Sequence, residues 1–335
     1  MDLNILWFLL ITVLFIGFFF LEGFDYGVGA LIPFLGKDDD ERRVVLNTIG
    51  PFWDGNEVWL ITAGGALFAA FPHVYATMFS GFYIALFLIL VALIFRATGI
   101  EFRSLQPSLK WRKNWDAIIA ISSILSAILW GVAVSNLVTG VPIDADMQYS
   151  GSFYTLLTPF TILGGVVFAL LFLYHGATYL QLKVGEQKIL DRLRPLAPKL
   201  GLAMIVATVL WVVYAFFVSD IFNSTLAMVL CAAAAVMMIL SVWKNHSGKA
   251  GFAFITIGLS IVCTTATVFA GIFPDIMIST LNPKWSLDIY NASSSPKTLR
   301  LMTFIALTLV PIVLAYQTWS FYVFRKRVTK NDLHY

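Results

Sequence analysis

Phe52-Trp53-Asp54-Gly55-Asn56-Glu57-Val58-Trp59, FWDGNEVW, runs directly into the apolar stretch LITAGGALFAAF at 60–71. Two carboxylates, an amide and two tryptophans thus stand at the mouth of a segment apolar enough to sit in lipid. The rest of the chain decides what that segment is. Of 335 residues, 59% are hydrophobic and 12% charged, against about 45–50% and about 25% in an ordinary soluble domain. Apolar runs of about 20 residues, each long enough to cross a hydrocarbon core of about 30 Å as a helix, recur along the whole length. The composition therefore predicts an all-α, polytopic membrane protein and excludes a water-soluble enzyme core.

With tryptophan, glycine, proline and charge as punctuation, nine transmembrane helices are expected, at 4–35, 52–71, 75–97, 115–138, 159–183, 199–219, 224–243, 251–273 and 300–324. No fixed-period repeat, low-complexity linker or inserted soluble domain interrupts them, so 1–335 reads as a single membrane-embedded unit. The start, Met-Asp-Leu-Asn, lacks the basic region and cleavage site of a secretory signal, so the first run is expected to be a retained helix. Of the 22 Lys and Arg residues, 19 fall in alternate connections, near 37–43, 96–113, 183–199, 244–249 and 325–330. The opposite connections hold only Lys284, Lys297 and Arg300 among several aspartates. That asymmetry predicts an outside N-terminus and a cytoplasmic C-terminus. It also assigns the net charge of +3 to inner loops facing lipid headgroups, with no nucleic-acid partner implied.

An acid at the centre of a membrane helix costs about 2.5–3.5 kcal/mol on insertion scales, so those present need partners or water. In LEGFDYGVG (21–29), Glu22 and Asp25 are three apart on one helical face, with Gly23 and Gly27 spaced to let another backbone come close. No helix end explains these two acids. Asp54 and Glu57 are also three apart, and topology puts all four carboxylates on the cytoplasmic side. For FWDGNEVW a plain reading stands beside the functional one: Asp54 as a helix cap, Glu57 completing a capping box, and Trp53 and Trp59 as interfacial anchors. Arg96 can act as a counter-ion or snorkel to the headgroups, and Asp116 can be a supporting charge or a cap.

Metal and haem signals are weak. His73, His175, His246 and His334 form no ligand pair, and only His175 lies deep enough to serve as an axial ligand; a satisfied core histidine explains it better. Cys231 and Cys263 read as small core residues. No phosphate loop, nucleophile elbow or C-x-x-C is present, so no metal site and no catalytic residue is expected within this chain.

LEGFDYGVG, GPFWDGNEVWLITAGGALFAAFP, FSGFY with IFR, NLVTGVP, GATYLQLK, NASSSPKTLRLMT, VPIVLAYQTW and RVTKNDL together resemble subunit II of the cytochrome bd-type quinol oxidases over essentially the whole chain. The resemblance implies two four-helix bundles plus one peripheral helix in a bacterial plasma-membrane complex. That complex oxidises quinol and reduces oxygen to water without pumping protons. It further implies that subunit I, the partner, carries two b-type haems, one d-type haem and the quinol site. A small single-helix subunit and a structural quinone are further features of such complexes. Carried onto this sequence, the resemblance makes Asp54 part of a cytoplasmic proton path, with Asp25 beside it and Trp59 near an oxygen route. Two positions depart from the pattern: Glu57 stands where some members have an amide, and His175 where members have glutamine. A proton-coupled secondary transporter is the alternative reading, although the inverted repeats and paired broken helices of such folds are missing from the sequence.

Overall fold

The computed structural model describes residues 2–333, so His334 lies outside the described residues. Helix α1 (Leu3–Leu35) starts on Asp2, whose side chain accepts from the Asn4 amide, and runs through Pro33. A short amphipathic helix, α2 (Asp39–Asn47), follows; it is capped by Asp38 and buries Val44, Val45 and Leu46. The membrane-length elements continue with α3 (Trp53–Ala70), α5 (Tyr83–Phe102), α6 (Leu109–Thr139), α7 (Pro159–Lys183), α8 (Gln187–Val218), α9 (Thr225–His246), α10 (Ala250–Ile272) and α11 (Pro296–Val323). Between α3 and α5 lies a short helix, α4 (Pro72–Gly81). Among the described residues eight helices are long and apolar enough to cross a membrane. Helix α3, 18 residues long with a polar opening, supplies the ninth of the expected segments.

The differences from expectation have local causes. The run at 75–97 is broken into α4 and α5: Pro72 starts a new helix after Phe71, and Gly81 lies against the Tyr149 ring just before buried Phe82. Helix α6 starts at Leu109 rather than 115 because Ser108 caps it, accepting from the Trp111 amide. Helix α8 starts at Gln187 rather than 199 and continues through Pro195 and Pro198. The missing amide hydrogens of those prolines leave carbonyls at Asp191 and Arg194, both on exposed residues where water can serve them. Both cysteines are free and half-buried; Cys231 packs against the core cluster of Val138, Phe160 and Val268, as expected of a small apolar residue.

Helices α1, α3, α5 and α6 form one group and α7 to α10 a second, joined where α7 packs on α1 and α6. Small residues permit that junction. A Cβ on Gly27 would run into the Phe172 carbonyl and the Gly176 backbone of α7, and one on Gly131 of α6 into Gly164 and Gly165. Helix α11 is peripheral: only Leu299 along it is fully buried. It is pinned at one end by the Trp7 indole, which donates to the Leu299 carbonyl (3.1 Å) and Thr303 Oγ1 (3.0 Å), and at the other by Phe321 stacked on Phe52 at 4.3 Å.

The connections gather at two ends of the bundle. At one end, Arg192 pairs with Glu41, Lys330 with Asp38 and Asp40, and the tail strand at Val328 bridges to Val184. At the other, a small antiparallel pair, β1 (Asp275–Met277) and β2 (Leu287–Asp288), joins Val141, Ser279 and the 282–295 loop into a cap. The chain is a multi-pass membrane protein.

Candidate functional site

The site begins with one turn of α1. Glu22 and Asp25 are both fully buried and face α5 and α3, while Gly23 and Gly27, on the other side of the same turn, admit α7. Arg96, sent in from α5, is also fully buried, so it does not snorkel. Its Nη1 lies 2.5 Å from Glu22 Oε1 and 2.6 Å from Glu57 Oε1, and its guanidinium sits 5.0 Å from the centre of the Tyr26 ring. One cation thus bridges acids from two helices, a buried arrangement whose loss from one side leaves a charge uncompensated. Glu57 retains 20% side-chain exposure and Glu22 none. Asn56 of α3, itself buried, donates from Nδ2 to Asp25 Oδ2 at 2.7 Å. Glu22 Oε2 and Asp25 Oδ1 accept no hydrogen bond from the described residues.

The capping reading of FWDGNEVW does not hold. Phe52, not Asp54, occupies the cap position and has no side-chain cap; Asp54 lies within the first turn, and the Asn56 amide that an Asp54 cap would serve donates to the Phe52 carbonyl at 2.9 Å. Asp54 is exposed, accepts only from the adjacent Gly55 amide, and is close enough for its charge to act on Asp25 and Glu57. Glu57 turns inward to Arg96 instead of back to the helix start. Trp59 is not a simple interfacial anchor either; its indole donates to Gln317 Oε1 of α11 at 2.9 Å.

Asp116 belongs to a different cluster. Ser108 caps α6, so Asp116 lies within the helix, 1% exposed, accepting from Arg103 Nε at 2.5 Å and from Arg42 Nη1 at 3.1 Å. Arg103 also reaches Asp39 at 2.8 Å, and Arg112 pairs with the same carboxylate. Burial opposes ionisation of Asp39, but Arg103 and Arg112 more than reverse this and hold its carboxyl below the usual range. This second cluster clamps α2 to α5 and α6 at the basic end of the bundle.

His175 is packed as a core residue. Its Nε2 lies 3.0 Å from the Phe20 carbonyl, which fixes Nε2–H as the donor, and its ring stacks on Phe254 at 5.0 Å with Phe20 and Phe24 edge-on. Those rings leave no space beside the imidazole for a macrocycle, so the residues present do not fit a haem. A separate apolar cavity of about 640 Å³ is bounded by α1, α3, α4, α5, α6 and α10, with Phe15, Leu60, Ile61, Tyr83, Trp130 and Phe269 in its wall.

Sequence reading placed Glu22, Asp25, Asp54 and Glu57 on one side and left Arg96 open; the structure gathers Glu22, Glu57 and Asp25 about Arg96 and Asn56 and leaves Asp54 exposed at the edge. It missed Asn56 and Gln317. Gln317 had a usable signal, being the one amide in the apolar run 300–324.

Comparison with known proteins gives a consistent picture. The family model described as cytochrome bd terminal oxidase subunit II matches residues 3–324. The cytochrome bd ubiquinol oxidase subunit 2 of Bacillus subtilis is 40% identical over 99% of this chain and 98% of its own length. The cytochrome bd-I ubiquinol oxidase subunit 2 of Escherichia coli K12 is 39% identical over 99% of this chain and 96% of its own. The fold resembles a chain of the bd oxidase from Geobacillus thermodenitrificans, with a TM-score of 0.73 at 16% identity, covering 97% of this chain and all of that one.

Proposed function

The chain belongs to the cytochrome bd terminal oxidase subunit II family, and we propose that it is the haem-free partner that stabilises a haem-bearing subunit I and brings cytoplasmic protons toward oxygen reduction. The complex would oxidise quinol and reduce oxygen to water, building proton motive force through the sidedness of proton uptake rather than by pumping. Two b-type haems and one d-type haem in subunit I would supply the electron-transfer chemistry. This chain's own contribution is to hold and pass protons.

The observation that carries the reading is the buried cluster of Glu22, Arg96 and Glu57 with Asp25 alongside, opening to exposed Asp54. Three buried or half-buried carboxylates against a single guanidinium leave surplus negative charge inside the membrane, which protons can offset. Asp54 is exposed at the basic end of the bundle, and the charge asymmetry supports reading that end as cytoplasmic. It would collect protons, and Asp25, with one oxygen free, would take them inward. Glu57, partly exposed and tied to Arg96, offers a parallel step, and Glu22 stands deepest. Oxygen, being apolar, would travel through the cavity walled by Leu60 and Ile61, next to Trp59.

The test is Asp54→Asn in the intact complex. An amide cannot take up and release a proton near neutral pH, so quinol-driven oxygen uptake should fall by about one to two orders of magnitude while haem content stays normal. Full turnover from pH 6 to 9 would remove Asp54 from the path. A purified complex lacking d-type haem absorbance would refute the oxidase reading itself.

A further inference from the structure

We propose that Trp59, Gln317 and Asn56 are positioning residues that form a hydrogen-bond relay of fixed direction, ending on Asp25 and setting which of its oxygens takes a proton. The inference rests on the reading of Asp25 as a proton carrier, but its geometry is separate. The links are Trp59 Nε1 to Gln317 Oε1 at 2.9 Å, Gln317 Nε2 to Asn56 Oδ1 at 3.2 Å, and Asn56 Nδ2 to Asp25 Oδ2 at 2.7 Å.

The direction follows from the first residue. A side-chain amide can be turned over at little cost, and its orientation normally has to be inferred from its neighbours. An indole, however, donates and never accepts. Trp59 therefore obliges Gln317 to present its oxygen, leaving Gln317 its NH₂ to give. Asn56 must then receive on its oxygen, and its own NH₂ is aimed at Asp25. Each amide has one permitted orientation, and Asp25 always faces a donor.

The site is built to keep that order. A Cβ on Gly17 of α1 would collide with the Trp59 ring, so the glycine makes the seat for the indole. Asn56 is 1% exposed. Between Pro311 and Trp319, Gln317 is the one position of α11 that is not exposed. The peripheral helix thus sends a single polar side chain into the cluster. Since Asp25 Oδ2 is occupied by the Asn56 N–H and Oδ1 has no partner, the proton is received on Oδ1.

Without the indole both amides can turn together. Asn56 would then offer its oxygen, and a protonated Asp25 would become the donor. Infrared difference spectra of the intact complex test this, with the Asp25 carboxyl band assigned by its disappearance in Asp25→Asn. In Trp59→Phe, and independently in Gln317→Met, the band should change frequency. The pH at which it is lost should rise by about one unit, about a tenfold change in proton affinity, as expected for one hydrogen bond to a charged group. Phe321→Leu, which loosens the same helix without touching the relay, should leave the band in place. Assembled Trp59→Phe and Gln317→Met complexes with an unmoved band and an unchanged pH profile would overturn the relay. Normal turnover in Asp25→Asn would instead refute the proton-path reading, while the band shift would still decide the relay.

Discussion

Arg96 is the lone cation among Glu22, Glu57 and Asp25, and it shows how much one residue can hold. Removing one partner of a buried ion pair costs about 3–5 kcal/mol, because the remaining charge stays buried without compensation. Arg96→Leu should therefore prevent stable accumulation of the subunit in membranes, whereas the double change Arg96→Leu with Glu22→Gln should restore part of it. Quantitative blotting of membrane fractions checks both. The acids were legible from the sequence because carboxylates in an apolar run stand out. The choice for Arg96 was not, because snorkelling and ion pairing place an arginine at the same sequence position and differ only in whether facing helices supply carboxylates. The capping reading of Asp54 failed for a similar reason: the helix already begins at Phe52, whose carbonyl takes the Asn56 amide that Asp54 would have served.

At the scale of elements, the apolar runs announced the helices, and local chemistry moved their ends. Ser108 and Pro72 moved the starts of helices that hydropathy alone drew differently, and the amphipathic α2 was hidden among the charges of a basic connection. Gly27 against Gly176 sets the closest approach of α1 to α7. Gly27→Leu should push the two apart and lower the melting temperature of the purified complex sharply, while Gly55→Ala, which meets nothing within 4 Å, should leave it unchanged. The cap built on β1 and β2 carries a pH signature. In β1 and β2 Asp275 faces Asp288, and burial, followed by the Asp288 charge, pushes the Asp275 carboxyl up to about 6. A folded-state value above the unfolded one means that the cap is most favourable below about pH 4, where Asp275 is protonated in both states, and loses stability as pH rises to about 6. Asp275→Asn should thus raise the melting temperature by a few degrees at pH 7.5 and have no effect near pH 4; an equal effect at both pH values would contradict this.

For the whole molecule, the basic asymmetry of the loops and the full-length family match describe one membrane protein with a charged cluster at its basic end. The helices and their order could be read from sequence because each is an apolar run. Topology also put the acids on one side, but the meeting of Arg96, Asn56 and Gln317, drawn from α5, α3 and α11, with those acids could not be read, since packing of separate runs brings them together. The central claim is that this cluster carries protons for oxygen reduction, and Asp25 is its most direct test. Quinol-driven oxygen uptake by the purified Asp25→Asn complex, normalised to its haem absorbance, should fall by about tenfold or more at neutral pH with the haem spectrum intact. Wild-type turnover in a fully assembled Asp25→Asn complex would contradict the account.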